Sequence, residues 1–302
     1  MAKKVLALYY TQTGQLADIV DQFTAPLIAA GASVEKLNIK PVNDFPFPWK
    51  SEVFFDAMPE SVKGIPVELQ PFSFKEEKYD LIIFAYQPWF LSPSIPATSM
   101  LKHEKVKQIM RDTPVITLSA GRNMWLNSQE KVKRLLADAK AKLVGNVALV
   151  DRHHNLVSVI TIMHWAFGGK KDKYLGIFPR PGVSDEDIQN ASEFGKIVLP
   201  YLQAAEWNGM QEKLVAAGGL EIKDDIMFIE ERAGRLFDLW ANAIYGKPGR
   251  AFKLLIYKYY LLVALFLVAP IVLTLNFLVF QWFFMGRNAR QKLYYAGVTL
   301  KK

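Results

Sequence analysis

Cysteine is absent from this 302-residue chain. Its absence excludes disulfide bridges, thiolate zinc sites, cysteine-ligated iron–sulfur clusters and cysteine nucleophiles. The sequence also lacks the G-x-G-x-x-G pattern of a dinucleotide-binding turn and the lysine-containing phosphate loop of nucleoside triphosphatases. With 51% hydrophobic and 22% charged residues, the chain is neither disordered nor fibrous. Its length predicts an α/β domain with one further module.

Acidic residues are missing from the C-terminal part of the chain. All 29 of them lie at or before Asp238, whereas nine of the 37 basic residues follow it. The preceding part is therefore close to neutral, although the net charge is +8. The basic excess flanks an apolar segment and covers no globular face, which favours anionic lipid headgroups as partners. We therefore expect membrane lipids among the partners and no nucleic acid.

Residues 259–285 form an uncharged apolar run of 27 residues. As a helix this run is ~40 Å long at ~1.5 Å per residue, more than the ~30 Å hydrocarbon core of a bilayer requires. A buried core helix is the alternative. Aromatic side chains, which prefer the headgroup level, stand at both ends of the run: Tyr257, Tyr259 and Tyr260 at one, Trp282, Phe283 and Phe284 at the other.

Pro270 lies near the middle of this run and predicts a kink or a break in the helix. Basic residues flank both ends of the run in similar number. This balance favours a re-entrant hairpin with both ends in the cytoplasm, and a single tilted span is the alternative. The chain runs from Met1 straight into a strand without a signal peptide, so we expect it at the cytoplasmic face of the bacterial inner membrane.

Short apolar strands alternate with helical periods in the first half of the chain. This pattern predicts a doubly wound five-stranded parallel sheet, followed by a C-terminal helical membrane anchor. The predicted strands are 4–10, 33–39, 79–86, 113–118 and 147–150, and the predicted helices are 15–30, 97–111, 127–143, 185–203 and 225–245. We divide the chain into an α/β domain at 1–205 with an aromatic-rich insert at 45–78, an amphipathic connector at 206–252, and a membrane-embedded segment with a basic tail at 253–302.

The first strand ends in the turn Thr11, Gln12, Thr13, Gly14 and Gln15, and a helix follows. Backbone N–H groups in such a turn, with the positive end of the helix, form an anion site. A terminal phosphate held by hydroxyls and amides, without a lysine, is what flavin mononucleotide (FMN) presents. An ordinary hydroxyl-rich loop that caps the helix is the alternative.

Two further loops follow the third and fourth strands. Ligands of open parallel sheets bind beyond the carboxyl ends of the strands, at the point where the strand order reverses. Aromatic and amide side chains on these loops are candidates to hold a flavin ring. The candidate residues are Gln87, Pro88, Trp89 and Phe90 on one loop, and Ser119, Ala120, Gly121, Asn123, Met124 and Trp125 on the other.

The phosphate loop resembles that of the flavodoxin family, T/S-x-T-G-x-T. The match covers Thr11 to Gln15 and departs from the pattern at Leu16, where one hydroxyl contact is absent. A closer resemblance is to the flavodoxin-like dialkylresorcinol-condensing enzymes, in the stretches LYYTQTGQL, FPFPW, QPWFLSPSIPA, SAGRNMW, DRHHNLVSVIT and FPRPGVSDEDI. It implies FMN-dependent oxidation (aromatisation) of a 2,5-dialkylcyclohexane-1,3-dione to a 2,5-dialkylresorcinol in bacterial lipid and pigment biosynthesis. It also implies a partner ketosynthase and an acyl carrier protein.

Aromatisation of a cyclic dione requires the loss of a hydride and of a proton from adjacent carbons. We expect His153 and His154 as proton-transfer candidates, since both follow the fifth strand, and Arg122 as the partner of the developing enolate. His103 reads as a solvated helix residue and His164 as a satisfied core residue. No metal site is expected.

The aromatic residues of the insert predict the wall of an alkyl-chain pocket. A loop that packs its own aromatic rings onto the sheet is the alternative. Two further functions stay open at this stage: a membrane-bound flavodoxin-type NAD(P)H:quinone reductase, and a flavin-free membrane scaffold of the pathway.

Overall fold

The structure is a computed structural model that describes residues 2–276, 278 and 285–300. Five parallel strands form its central sheet in the order β2-β1-β3-β6-β7. They are β1 (Lys4–Tyr9), β2 (Ser33–Asn38), β3 (Leu81–Tyr86), β6 (Pro114–Gly121) and β7 (Lys142–Val150). The short strands β4 (Pro88–Trp89) and β5 (Ser92–Pro93) pair as a separate hairpin. This order is the flavodoxin-like doubly wound one, so the predicted fold class is confirmed.

Helices cover both faces of the sheet, which explains why β3 is apolar and buried along its whole length. One face packs on α1 (Gln15–Ala29), α7 (Asp185–Ala204) and α8 (Met210–Ala216). The other packs on α3 (Ile95–Lys102), α4 (Glu104–Met110) and α5 (Leu126–Asp138). Helices α1 and α7 approach closely at Gly195, where an added Cβ would lie 2.1 Å from the carbonyl oxygen of Phe23.

Three boundaries differ from the predictions. The aromatic insert contains a helix, α2 (Ser51–Lys63), where we expected only a connection. The predicted helix at 97–111 is two helices that meet at His103, whose Nδ1 accepts a hydrogen bond from the backbone N–H of Lys105 at 3.2 Å. His103 is therefore a cap and not a mid-helix residue. The predicted helix at 127–143 ends at Asp138, because the chain from Lys142 onward belongs to β7.

The remaining helices follow β7. They are α6 (Asn155–Gly168), α9 (Asp224–Ile244), α10 (Arg250–Val263), α11 (Ala269–Leu275) and α12 (Met285–Ala296), with a 3-10 turn at Tyr174–Gly176 and a π-helical turn at Ala264–Val268.

The long apolar helix is attached to the α/β domain at its first turns. Arg250 contacts Asp56 at 2.6 Å and Glu60 at 2.8 Å, both on α2. Tyr257 is buried in a cluster that α2 and α9 share, where its ring contacts Phe55. The start of this helix therefore rests on the aromatic insert.

The chain returns to the same domain after the apolar segment. Lys292 on α12 pairs with Asp224 at 2.7 Å. Gln211 on α8 donates Nε2–H to the carbonyl oxygen of Ala296 at 2.8 Å, and Lys133 on α5 donates to that of Thr299 at 3.2 Å. Both flanks of the apolar segment thus contact one globular unit.

In the described part of the chain, one helix is long and apolar enough to cross a membrane. It runs through 26 residues from Arg250 to Leu275, and its most apolar window has a mean hydropathy of 2.1 and is 6% buried. The alternative of a buried core helix is therefore wrong. A break at Pro270 is also wrong, since helical backbone continues on both sides of it. The predicted aromatic end Trp282, Phe283 and Phe284 lies outside the described residues.

Pro270 accounts for the π-helical turn that precedes it. Proline has no N–H group, so it cannot donate to the carbonyl oxygen of Phe266 four residues earlier. The turn widens at Ala264–Val268 instead. The hydroxyl of Thr274 donates to the carbonyl oxygen of Pro270 at 2.9 Å.

A buried carboxyl group on α9 holds the C-terminal helices to the sheet domain. The backbone N–H of Asn127, at the start of α5, donates to Oε1 of Glu230 at 2.7 Å, and α5 has no cap from its own side chains. Glu230 is 1% exposed and its Oε2 has no partner among the described residues. Burial raises the pKa of this carboxyl to about 8, although hydrogen bonds from the backbone N–H groups at the start of α5 lower it. Glu230 is therefore neutral near pH 7.

We predict that Glu230 makes the protein less stable as the pH rises from about 5 to 8. In this interval the unfolded carboxyl is ionised while the folded one keeps its proton, so the free energy of unfolding falls by ~1.4 kcal/mol per pH unit. Glu230→Gln should remove this fall. Urea unfolding of the detergent-solubilised chain at several pH values measures it. Glu77→Gln, at an exposed carboxyl, is the control, and an unchanged pH dependence in Glu230→Gln would refute the assignment.

Candidate functional site

The carboxyl ends of β1, β3, β6 and β7 lie along one edge of the sheet, and the predicted loops follow them. The order of the strands reverses between β1 and β3. This reversal opens the crevice in which doubly wound proteins bind ligands.

The β1–α1 turn presents unsatisfied donors at this edge. Gly14 has a φ of 89°, and its N–H donates to Oγ1 of Thr11 at 3.1 Å. No side chain caps α1, so the first N–H groups of that helix lack protein acceptors. In the described part of the chain no hydrogen bond engages the hydroxyl of Thr13. A Cβ on Gly14 would meet nothing within 4 Å. The turn is an open cradle of N–H and hydroxyl groups.

Three side chains of this turn and the start of α1 contact other parts of the protein. Gln12 donates Nε2–H to the carbonyl oxygen of Pro46 at 2.9 Å, and its Oε1 accepts from Nε1 of Trp49 at 3.1 Å. Oε1 of Gln15 accepts from the backbone N–H of Val183 at 3.1 Å. Leu16 is fully buried in the core. These residues can contact a ligand at the turn through their backbones, whereas their side chains hold neighbouring segments in place.

The aromatic insert packs directly over the β3 loop. The ring of Trp89 contacts those of Phe45, Trp49 and Tyr10, with centroids 5.0, 5.1 and 6.4 Å apart. The backbone N–H of Trp49 donates to the carbonyl oxygen of Ala166 on α6 at 2.7 Å. The rings of the insert thus pack on the sheet edge and on each other, and a planar ligand between the loops would require them to separate.

The β4–β5 hairpin carries backbone strain at its tip. Phe90 and Leu91 have φ values of 48° and 57°, a region that bulky residues avoid. Ring contacts hold Phe90 in this conformation, at 4.9 Å from Phe54 and at 6.4 Å from Phe237 on α9. Gln87 begins this loop, and its carbonyl oxygen accepts from the N–H of Ser94 at 2.8 Å.

The β6–α5 loop has two kinds of residues. Ser119 and Ala120 are buried in the strand, and Gly121 lies against Pro88, where an added Cβ would be 3.1 Å from the proline Cδ. Met124 is half-buried. Asn123 is buried with Oδ1 unpaired among the described residues. The ring of Trp125, in contrast, packs with Val150, Leu220 and Met227, on the side that faces α9.

A buried carboxylate organises the loop after β7. Asp151 is 1% exposed, and its Oδ1 lies 2.7 Å from Nδ1 of His153 and accepts the backbone N–H of His153 at 3.0 Å. Its Oδ2 accepts the hydroxyl of Ser158 at 2.8 Å. His153 is partly exposed, with its ring held at Nδ1. This arrangement of a buried acid and an oriented imidazole can accept a proton at Nε2.

Arg122 lies beside this pair. Its Nε donates to the hydroxyl of Ser158 at 3.4 Å, and its Nη2 donates to the side-chain and backbone oxygens of Asn155. Burial lowers the pKa of the guanidinium to about 10, and the negative charge of Asp151 opposes the shift. Arg122 stays charged at neutral pH and balances the buried carboxylate.

His154 and His164 are not part of this pair, and His103 caps α4. His154 is exposed at the N-cap position of α6 and makes no side-chain cap. His164 is half-buried on α6, and its Nε2 lies 2.7 Å from an exposed Asp172. The expectation of a core residue therefore holds only in part for His164.

Sequence reasoning missed the roles of Asp151, Asn155 and Ser158. They lie within a few positions of His153, after the apolar end of β7. An acid directly at the end of a buried strand, with a histidine two positions later, is the sequence signal that could have indicated this pair. Among the described residues, no group of three or more His, Cys, Asp or Glu is placed to hold a metal ion.

No protein-family model and no curated protein sequence matches the chain. Several solved structures match the chain at low sequence identity. A flavoprotein in complex with FMN from Lactobacillus acidophilus NCFM is 19% identical, with a TM-score of 0.39, over 49% of this chain and 93% of its own. A flavodoxin from the domain Archaea is 8% identical, with a TM-score of 0.36, over 66% and 99%. A flavone reductase is 11% identical, with a TM-score of 0.34, over 67% and 64%.

Proposed function

We propose that this protein is a flavin-dependent oxidoreductase that binds FMN at the carboxyl edge of the sheet. The observation that supports this most directly is the β1–α1 turn. It has an uncapped helix N-terminus, two threonine hydroxyls and open space over Gly14. Such a turn suits a terminal phosphate held without a lysine. The sheet order places this turn at the switch point, where flavodoxin-like folds bind FMN.

The residues present fit the cofactor in three respects. The N–H groups after Thr11, together with the hydroxyl of Thr13, would hold the phosphate. Trp89 and the 119–125 loop would flank the ring, after Phe45 and Trp49 move off Trp89. The buried unpaired Oδ1 of Asn123 is an acceptor for a polar edge of the ring. When bound, FMN would supply a two-electron acceptor for hydride.

The reaction we propose is the oxidation of a 2,5-dialkylcyclohexane-1,3-dione to a 2,5-dialkylresorcinol. The ring loses two hydrogens, one as a hydride, which bound FMN would accept, and one as a proton. His153 takes the proton from the carbon next to a carbonyl group, while Asp151 holds its ring at Nδ1. Arg122 stabilises the negative charge that develops on the enolate oxygen. His154 is the less favoured base, because no hydrogen bond orients its ring among the residues that the structure describes.

We further propose that the protein is attached to the cytoplasmic face of the bacterial inner membrane without crossing it. The Arg250–Leu275 helix is exposed and apolar, yet α11 lies against α9, which carries charged residues. Charged side chains are costly in hydrocarbon. A full crossing by this helix would draw α9 into the bilayer or detach it. The return of α12 to the α/β domain likewise supports a one-sided attachment.

If the phosphate binds in the β1–α1 turn, substitutions at two glycines with nearly the same φ should differ in their effect on FMN binding. Gly14 and Gly31 precede and follow α1, with φ values of 89° and 87°, and an added Cβ meets nothing within 4 Å at either. Gly14→Val should weaken FMN binding by about tenfold or more, because it strains the turn and blocks close approach of the phosphate. Adding Thr13→Ala should weaken it further.

Titration of flavin fluorescence with apoprotein measures this difference. Gly31→Val likewise places a β-branched residue at a positive φ and should leave FMN affinity unchanged. If both substitutions weakened FMN binding alike, or neither did, the phosphate would not lie in this turn.

If His153 takes the proton, its replacement should slow substrate oxidation and leave FMN binding intact. In an anaerobic single turnover, a short-chain dialkyl cyclohexanedione should bleach the visible absorbance of the bound flavin. His153→Gln should slow this bleaching by roughly 10²–10⁴-fold without loss of FMN. Asp151→Asn should slow it less, and His154→Gln should serve as the control with a near-normal rate.

The same assay separates the alternative functions. Flavin bleaching by NAD(P)H with subsequent quinone reduction, and none by the dione, would indicate a quinone reductase. A folded protein that fails to bind FMN would indicate a scaffold. Either result would overturn the proposed reaction.

One-sided attachment predicts that both flanks of the apolar segment face the cytoplasm. The protein has no cysteine, so a cysteine at Ala289 in α12 provides a single labelling site. An impermeant thiol reagent should modify Ala289→Cys only after cell lysis. Glu186→Cys, on the exposed start of α7, is the matched cytoplasmic control. Labelling of position 289 in intact cells would show that the segment crosses the membrane.

A further inference from the structure

An open cleft of about 500 Å³ lies between α6 and the π-helical turn. Ile160, Met163 and Phe167 of α6 and Phe266 of the apolar helix line it, together with His164 and Tyr174. The volume is in the usual range for small-molecule sites, ~300–1,000 Å³. The cleft lies outside the turn and loops described above.

The cleft is continuous with the surface we assign to the membrane. Phe266 is 41% exposed, and its neighbours Leu267 and Val263 are exposed beside it. On the other side, the loop after α6 exposes Leu175 and Ile177 at 70% and 80%. Apolar side chains therefore border the mouth of the cleft on both sides. A ligand dissolved in lipid would reach it without crossing water.

Two residues that line this cleft carry polar atoms without partners in the described part of the chain. Asp172 holds the His164 ring at Nε2, 2.7 Å away, which leaves Nδ1 free of hydrogen bonds. The Tyr174 ring is tilted against that of His164 with centroids 4.5 Å apart, and its hydroxyl is likewise unpaired. A mostly apolar cleft with two hydrogen-bonding groups in its lining suits an amphiphile with an alkyl chain and a small polar head.

Phe167 connects the cleft with the candidate flavin site. It lines the cleft, and its ring lies 5.4 Å from that of Phe54 in the insert. Phe54 contacts Trp49 at 5.6 Å, and Trp49 contacts Trp89 at 5.1 Å. Aromatic rings in contact with one another therefore occupy the route from the cleft to the sheet edge. Each ring can rotate about its side-chain bonds.

We propose that this cleft binds the alkyl chain of a lipid-soluble substrate that enters from the bilayer. The proposal rests on the proposed function for the identity of the head group, a hydroxylated or oxo-substituted ring. The π-helical turn carries Phe266, which lines the cleft together with Met163. We assign the chain to this cleft and not to the insert, because the rings of the insert pack on the sheet edge.

A photoreactive probe tests the cleft without any turnover. The full chain in nanodiscs of phosphatidylglycerol and phosphatidylcholine is exposed to a resorcinol whose long alkyl chain ends in a diazirine, and the labelled peptides are mapped. Label should concentrate on α6 and around Phe266. Met163→Trp fills the cleft and should reduce this label by about tenfold. Leu255→Trp adds the same ring to the exposed face of α10, outside the cleft, and should change nothing.

Steady-state kinetics test the role of the cleft separately from the proposed reaction. Met163→Trp should raise KM about tenfold for a long-chain dione and leave a short-chain dione and the FMN content unaffected. Ile160→Phe provides a smaller substitution should Met163→Trp fail to retain FMN. If the label were spread over the exposed face of the apolar helix and neither variant changed it, the proposal that the cleft binds the alkyl chain would be refuted. If the cleft were labelled but no dione were oxidised, the proposed reaction would be refuted and the binding of an alkyl chain in the cleft would stand.

Discussion

Every parallel strand of this sheet delivers the N-terminus of the next helix to one edge, and each N-terminus brings N–H groups that need acceptors. Ser94 caps α3 and Ser184 caps α7 from within the local sequence. Helix α5 takes its acceptor from Glu230, on a helix more than a hundred residues away. Helix α1 has no side-chain cap. The way these ends are satisfied decides both where the C-terminal helices attach and where an anion can bind.

The tail and the insert depend on each other as much as on the sheet. The cluster that buries Tyr257 combines α2 of the insert with α9 and α10. Gln12 ties the other end of the insert to the β1–α1 turn. The apolar helix is thus connected through a few packed elements to the residues around the proposed phosphate site. Packing contacts therefore link the apolar helix to the turn in which we propose that the phosphate binds.

Apolar periodicity was sufficient to predict a five-stranded doubly wound parallel sheet, because strands buried on both faces have a near-continuous apolar pattern. It was not sufficient for α2, whose mixture of Phe54, Phe55 and Pro59 resembles a loop. The acceptor role of Glu230 and the placement of Trp125 depend on tertiary contacts that no local pattern encodes. The same holds for the course of the apolar helix: hydropathy indicated lipid contact, but only the packing of α11 on α9 and the return of α12 indicate its direction.

The strained tip of the β4–β5 hairpin has a thermodynamic consequence. A positive φ in a bulky residue costs ~1–2 kcal/mol, and at Phe90 the contacts with Phe54 and Phe237 offset that cost. A ligand that moves Phe90 off these rings relaxes the backbone and at the same time removes a contact of α9. Such a ligand and the docking of α9 are then linked, with a coupling free energy that is the same in both directions. Under the proposed membrane attachment, lipid that loosens α9 would favour the relaxed hairpin, and a ligand at the sheet edge would in turn weaken the docking of α9.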